Sequence, residues 1–315
     1  MWILEGALIV LGLCVFEVVS SLDNAVVNAD VLATMGQRWR RWFLTYGLFL
    51  AVFVVRGLLP WAIVWATIPG LGPWDAMTAS FSKDPQIRES VERSAPFLLI
   101  AGGIFMIFLF LHWLFLEPKH FGLPGEEFFT RQGVWFFAVV SILLTAITWF
   151  TVRRDPMMAF AAAIGSSIFF ITYGFKEYAA RAERDLMARK SNLSDVSKVL
   201  YLEALDTSFS IDGVLGAFAF TMSVPLILLG NGIGAMVVRE LSVRGVERIK
   251  RYAYLKNGAM YSILFLGVFM VLESFHVPIP KAAVPLVTVT IVGLFFAKSV
   301  AHNRRNEANK NLAEQ

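Results

Sequence analysis

The stretch FEVVSSLDNAVVNADVL, Phe16 to Leu32, sets Glu17, Asp23 and Asp30, with Asn24 and Asn28, inside a run otherwise apolar enough to cross a bilayer. An ionised carboxylate at the centre of a membrane helix is unfavourable by about 2.5–3.5 kcal/mol on insertion scales, so such groups default to a functional reading with a partner to be found. Whether this run is a membrane span depends on the chain around it. That chain is 57% hydrophobic and 17% charged, with a mean hydropathy of +0.63. Ordinary soluble domains are roughly 45–50% apolar. Apolar runs recur from end to end, no soluble domain fits between them, and we read residues 1–315 as a single polytopic membrane domain.

The hydropathy pattern predicts an all-α membrane protein of about nine spans, with seven to nine as the range. They run near 2–33, 43–68, 96–116, 133–151, 157–175, 199–223, 225–238, 253–273 and 281–299, the seventh short and glycine-rich. The first twenty residues lack a basic leader region and carry Glu5 and Glu17, so they read as a retained helix. With the N-terminus outside and the C-terminus inside, 21 Lys or Arg fall in the inner loops or at the span ends beside them and 6 in or beside the outer ones. This is the positive-inside asymmetry, and it explains the net charge of +4 without a nucleic-acid partner. Segment 69–95 is then the one sizeable outer loop, and 300–315 a cytosolic tail. Cys14 is the sole cysteine, so no intramolecular disulfide is available.

A second polar-in-apolar segment, LEALDTSFSIDGVLGAFAF, spans Leu202 to Phe220. Aligning Asp212 with Asp23 sets Asp206 on Glu17, Ser210 on Ser21 and Gly213 on Asn24, so both segments read acid-x3-Ser-x-Asp. A further echo pairs Gly103-Ile-Phe-Met-x5-His112 with Gly267-Val-Phe-Met-x5-His276. The pairing implies two halves, 1–152 and 199–299, joined by a connecting helix at 157–175. Its odd offset in spans makes the repeat an inverted one, an arrangement that in secondary transporters sets substrate and ion sites near the midplane.

On an intact helix Glu17, Ser20, Ser21, Asn24 and Asn28 fall on one stripe, and Asp23 and Asp30 on another. Either the helix unwinds near Ser20-Ser21-Leu22 or each acid meets a counterpart from the other repeat; Gly213 offers a similar break in the second motif. The donors are carboxylate, amide and hydroxyl oxygens, which suit Mn²⁺, Mg²⁺ or Ca²⁺ better than soft zinc or copper sites. The competing reading is polar glue between helices, and a metal-free proton relay is another. Arg56, mid-span, is expected to pair with a motif acid, and Asn257 is an added candidate ligand. His112 and His276 read as interface residues near span ends. The HExxH, GxSxG and phosphate-loop patterns are missing, which argues against an enzyme, and no prosthetic group is implied.

These residues carry a resemblance. FEVVSSLDNAVV is similar to the E-x3-S-x-D-N signature of the TerC family of integral membrane proteins, named for tellurite resistance, and LDTSFSIDG resembles its second motif, D-x2-F-S-x-D-S. The segments around Arg56 and Lys256 also look like TerC helices, so the likeness runs from about residue 5 to 299. It implies a place in the wider LysE-like transporter group, and an association with manganese efflux. By position it makes Glu17, Asp23, Asn24, Asp206, Ser210 and Asp212 the ion-site candidates, with Ser21, Asn28, Arg56 and Asn257 in support. Gly213 departs from the pattern, standing where the family usually has Ser, and the segments 69–95 and 117–131 make this a longer branch.

The resulting expectation is a multi-pass inner-membrane exporter of a divalent hard cation, Mn²⁺ first, working by alternating access, with the bilayer and the ion as its partners. A homo-oligomer and further membrane partners stay open. The rivals are a non-transporting scaffold in tellurite or envelope-stress resistance, and an amino-acid exporter for which Arg56 would anchor the substrate carboxylate.

Overall fold

A computed structural model describes residues 2–21, 25, 28, 31–32, 34–47, 49–50, 56–68, 70–79, 84–119, 122–188, 194–244, 252–280 and 282–313. Among these the protein is all-helical. The first helix, α1 (Trp2–Ser20), ends at the acidic motif, with Ser21 in a turn. The Ser21 N–H still donates to the Glu17 carbonyl and Ala25 N–H to that of Ser21, both at 3.1 Å. Next come α2 (Gln37–Trp42), a π-helical turn (Phe43–Gly47), and α3 (Leu59–Thr67), preceded by π-helical residues 56–58. The remaining helices are α4 (Pro73–Thr78), α5 (Pro85–Leu116), α6 (Glu126–Arg131), α7 (Phe136–Val152) and α8 (Pro156–Ala188). They are followed by α9 (Asp195–Ala217), α10 (Val224–Arg244), α11 (Leu255–Ser274) and α12 (Ala283–Ala313).

Local chemistry sets several of these ends. Asp84 caps α5 by accepting from Gln86 N–H at 2.9 Å, with Pro85 in the first turn; Ser194 caps α9 through Ser197 N–H at 3.3 Å. Helix α11 stops where His276 adopts φ 62°, while Val277 N–H returns to the Leu272 carbonyl at 3.1 Å. His276 thus marks the backbone stop.

Six helices among the described residues are long and apolar enough to cross a membrane: 85–116, 133–152, 156–175, 224–241, 255–274 and 283–306. Several expected boundaries move. The outer loop 69–95 is largely helical, because Asp84-Pro85 starts α5 eleven residues before the expected 96. The seventh span is a full helix to Arg244 rather than a short one, the connecting helix continues to Ala188, and the tail at 300–315 is helical to Ala313. The charged ends add no apolar length, so hydropathy cannot see them, yet nothing in them stops a helix.

The core is centred on α5 and α11, which run antiparallel. Glycines let their backbones touch: a Cβ on Gly103 would lie 2.9 Å from the Gly267 carbonyl, and one on Gly267 would lie 3.0 Å from the Gly103 carbonyl. Such small-residue crossings suit helices in lipid, where dispersion replaces the hydrophobic drive. At one end of the pair Glu117 and Lys256 meet at 2.6 Å. Helices α1 and α10 pack in parallel through a second glycine seam, Gly230 on Leu13 and Gly234 on Cys14 and Glu17. Phe105, Phe108, Phe136 and Phe169 join α5 to α7 and α8, and His112 stacks into this cluster with Tyr173 at 4.5 Å between ring centres. The outer face of α7 exposes Phe137, Trp149 and Phe150, as a lipid-facing helix does.

Candidate functional site

Glu17, on the last turn of α1, is 1% exposed. Its Oε1 accepts from three donors: Arg56 Nη2 at 2.7 Å, Arg56 Nε at 2.9 Å and Ser21 Oγ at 2.8 Å. Ser21 thus hydrogen-bonds the acid directly. The guanidinium arrives from the π-helical residues before α3, a wider turn that re-aims side chains and recurs at functional sites. On its other side Arg56 Nη1 stands 3.6 Å from Asp206 Oδ2 of α9. Arg56, itself 3% exposed, is thus held between the two acids that the sequence repeat aligned.

Glu17 reaches this position because Gly213 and Gly234 have no side chains. A Cβ at Gly213 would lie 2.6 Å from Glu17 Oε2, and one at Gly234 would lie 2.6 Å from Glu17 Cβ. The missing side chain at Gly213 thus makes room for the carboxylate. Asn231 of α10, fully buried, turns its Nδ2 toward the Gly213 carbonyl at 3.4 Å. Ser210 is buried one turn from Asp206 and donates its hydroxyl to the Asp206 carbonyl at 2.6 Å, leaving its oxygen lone pairs as the part that a cation could use. Asp212 is half-buried beside Gly213, and Asn28 is buried. Asp23, Asn24 and Asp30 lie outside the described residues. Among the described residues no group of three or more His, Cys, Asp or Glu side chains is arranged to hold a metal ion.

Two further clusters went unread in the sequence. Glu203, one helical turn before Asp206, pairs with Arg239 of α10 at 3.7 Å, and Arg239 lies 4.0 Å over the Phe43 ring. Glu203 and Asp206 share α9, so the Glu17–Arg56–Asp206 and Glu203–Arg239 contacts lie one turn apart across α1, the residues before α3, α9 and α10. The i, i+3 spacing of Glu203 and Asp206 was the available signal for the first of these.

The second cluster takes Asn257 away from the ion-site candidates. Its Nδ2 donates to both oxygens of Glu126, at 2.9 and 3.1 Å, and Tyr261 Oη donates to Glu126 Oε1 at 2.9 Å. Glu126 is buried although it sits on the short helix α6 outside the apolar runs, a placement that composition does not signal. Beside it, Lys119 donates to the Trp113 carbonyl and lies 3.7 Å over the Trp113 ring. Burial pushes the Lys119 ammonium down to about 8, against the opposing pull of Glu117 and Glu126.

Comparisons with known proteins place the chain among membrane proteins. It is 25% identical over 117 residues to the "Uncharacterized membrane protein YceF" of Bacillus subtilis, covering 36% of this chain and 44% of that one. An "Uncharacterized membrane protein" of Rickettsia felis is 30% identical over 97 residues, 31% of this chain and 32% of its own length. The chain thus spans less than half the length of these curated relatives. No solved structure matches it. Residues 22–306 match the family described as "Protein of unknown function (DUF475)", and the chain belongs to that family.

Proposed function

We propose that this protein is a transporter of the TerC-like kind in the cell's inner membrane, exporting a divalent hard cation, Mn²⁺ first, by alternating access between two inverted halves. The observation that carries the reading is Arg56 clamped between Glu17 and Asp206 in the bundle interior. Two carboxylates around one guanidinium leave one net negative charge, so a metal cation is drawn to the same acids and competes with Arg56 for them. In this scheme Arg56 is the resident counter-cation of the ion-free state, keeping two acids tolerable in lipid until the cargo arrives. The reciprocal Gly103–Gly267 crossing supports a pseudo-twofold relation between the halves, since equivalent residues of related units meet each other. An amino-acid cargo is less well supported, because both faces of Arg56 are taken by acids.

Mn²⁺ flux into or out of proteoliposomes tests this, comparing wild type with Glu17→Gln, Asp206→Asn, Asp23→Asn and Asp212→Asn. Wild-type flux that falls by about tenfold or more in the variants is expected, as when charged groups of an intramembrane pathway are removed. Flux unchanged in all four, or no flux in wild type, removes the reading; the second result favours the scaffold.

A further inference from the structure

We infer that Glu17 Oε2 and Asn231 Oδ1 are ligands of a small hard cation bound where α1, α9 and α10 converge. The inference rests on the proposal above that the bundle interior takes a cation, and it adds Asn231, which neither sequence motif contains. Glu17 is lopsided: Oε1 carries three hydrogen bonds, and Oε2, buried, has none among the described residues. Asn231, 0% exposed, uses its amide N–H on the Gly213 carbonyl, and its Oδ1 has no donor among the described residues either. The amide orientation follows from that contact, since the flipped form would set two acceptor oxygens against each other.

Buried acceptors without donors are costly and rare. These two flank the same residue. Glu17 Oε2 lies over the Cα side of Gly213 and Asn231 is on its carbonyl, while Gly234, one turn beyond Asn231, packs on the Glu17 stem. Their shared deficit is positive charge. Oxygen donors of one carboxylate and one amide match a hard cation and no soft one. In the ion-free state Arg56 holds Oε1, which leaves Oε2 as the oxygen that an entering cation meets first.

The test is equilibrium binding of Mn²⁺, read by electron paramagnetic resonance on the purified full chain in detergent, with ²²Na⁺ binding as a second arm. Wild type binds one of the two ions, and Asn231→Leu weakens that binding by about tenfold or more, as loss of a ligand does. Asn231→Ala, a smaller truncation that removes the same oxygen, weakens the binding to a similar extent. Should Asn231→Leu not fold, unchanged binding of the wild-type ion in Asn231→Ala overturns the inference by itself. Binding of neither ion by wild type assigns the two oxygens to water and also overturns it, as does unchanged affinity in Asn231→Leu. The transport reading fails separately: binding that depends on Asn231 without vesicle flux keeps the site and removes transport, whereas flux sensitive to Glu17→Gln and insensitive to Asn231→Leu does the reverse.

Discussion

Removing one partner of the Glu17–Arg56 pair strands the other as a buried charge, and the size of the effect follows from the geometry. Glu17 and Arg56 are 1% and 3% exposed, and two guanidinium nitrogens reach one oxygen at 2.7 and 2.9 Å. Breaking a buried pair of this kind destabilises by about 3–5 kcal/mol. The Asp206 contact is longer, 3.6 Å, beyond hydrogen-bond range, and Asp206 is 13% exposed. Inverse-distance scaling alone weakens it by only about a quarter, so the missing hydrogen bond is what separates the two acids. We therefore expect Glu17→Gln to cost about 3–4 kcal/mol and Asp206→Asn about 1–2 kcal/mol. Arg56→Gln, which strands both acids, costs about 4–5 kcal/mol. The double variant Glu17→Gln/Arg56→Gln strands neither member of the pair, and its loss falls short of the sum of the singles by about 2–3 kcal/mol. Unfolding by SDS titration in mixed micelles, followed by circular dichroism, measures all four. Additivity of Glu17→Gln and Arg56→Gln within about 0.5 kcal/mol would refute the clamp.

Other regions give independent expectations. Gly103→Leu forces side-chain atoms against the Gly267 carbonyl and Val271, and lowers stability by at least about 1–3 kcal/mol, whereas Gly174→Ala, with open space around it, is neutral or stabilising by about 0.5–1 kcal/mol; thermal unfolding in detergent separates them. Glu126→Leu leaves the Asn257 amide and Tyr261 hydroxyl without their acceptor, costs about 2–3 kcal/mol, and exposes the 117–131 segment to proteolysis; equal cleavage of wild type and variant counts against a buried anchor. Lys119 is lowered by burial to about 8, so from roughly pH 8 to 10 the unfolded chain binds more protons than the folded one and stability rises with pH. The penalty is fully present below pH 8. Lys119→Met does not titrate, so the unfolding midpoint of wild type should gain on that of the variant across this window; a constant gap argues against the buried ammonium.

The sequence by itself determined that this is a membrane protein of helices and that two acidic motifs matched one another. Both readings rest on local properties: apolar length, charge placement and spacing along one chain. It also marked Arg56 as needing an acid, since a mid-span guanidinium has few other partners in lipid. What it could not determine was which residues meet. Helix ends moved where charged turns continued an apolar helix, as at 85–95 and 176–188, because hydropathy measures where lipid begins and not where hydrogen bonding stops. Asn257 left the candidate site for Glu126, a residue from a surface helix that no periodicity connects to it. Glu203 found Arg239 across the bundle. Asn231 gained its meaning from position alone: its neighbours Gly230 and Gly234 bring α10 against α1, and Gly213 admits the Glu17 carboxylate. Which acid oxygen faces a guanidinium and which faces no donor depends on helix approach distances of a few ångströms. Those are set by glycines of α9 and α10 packing against α1, and only the folded bundle fixes them.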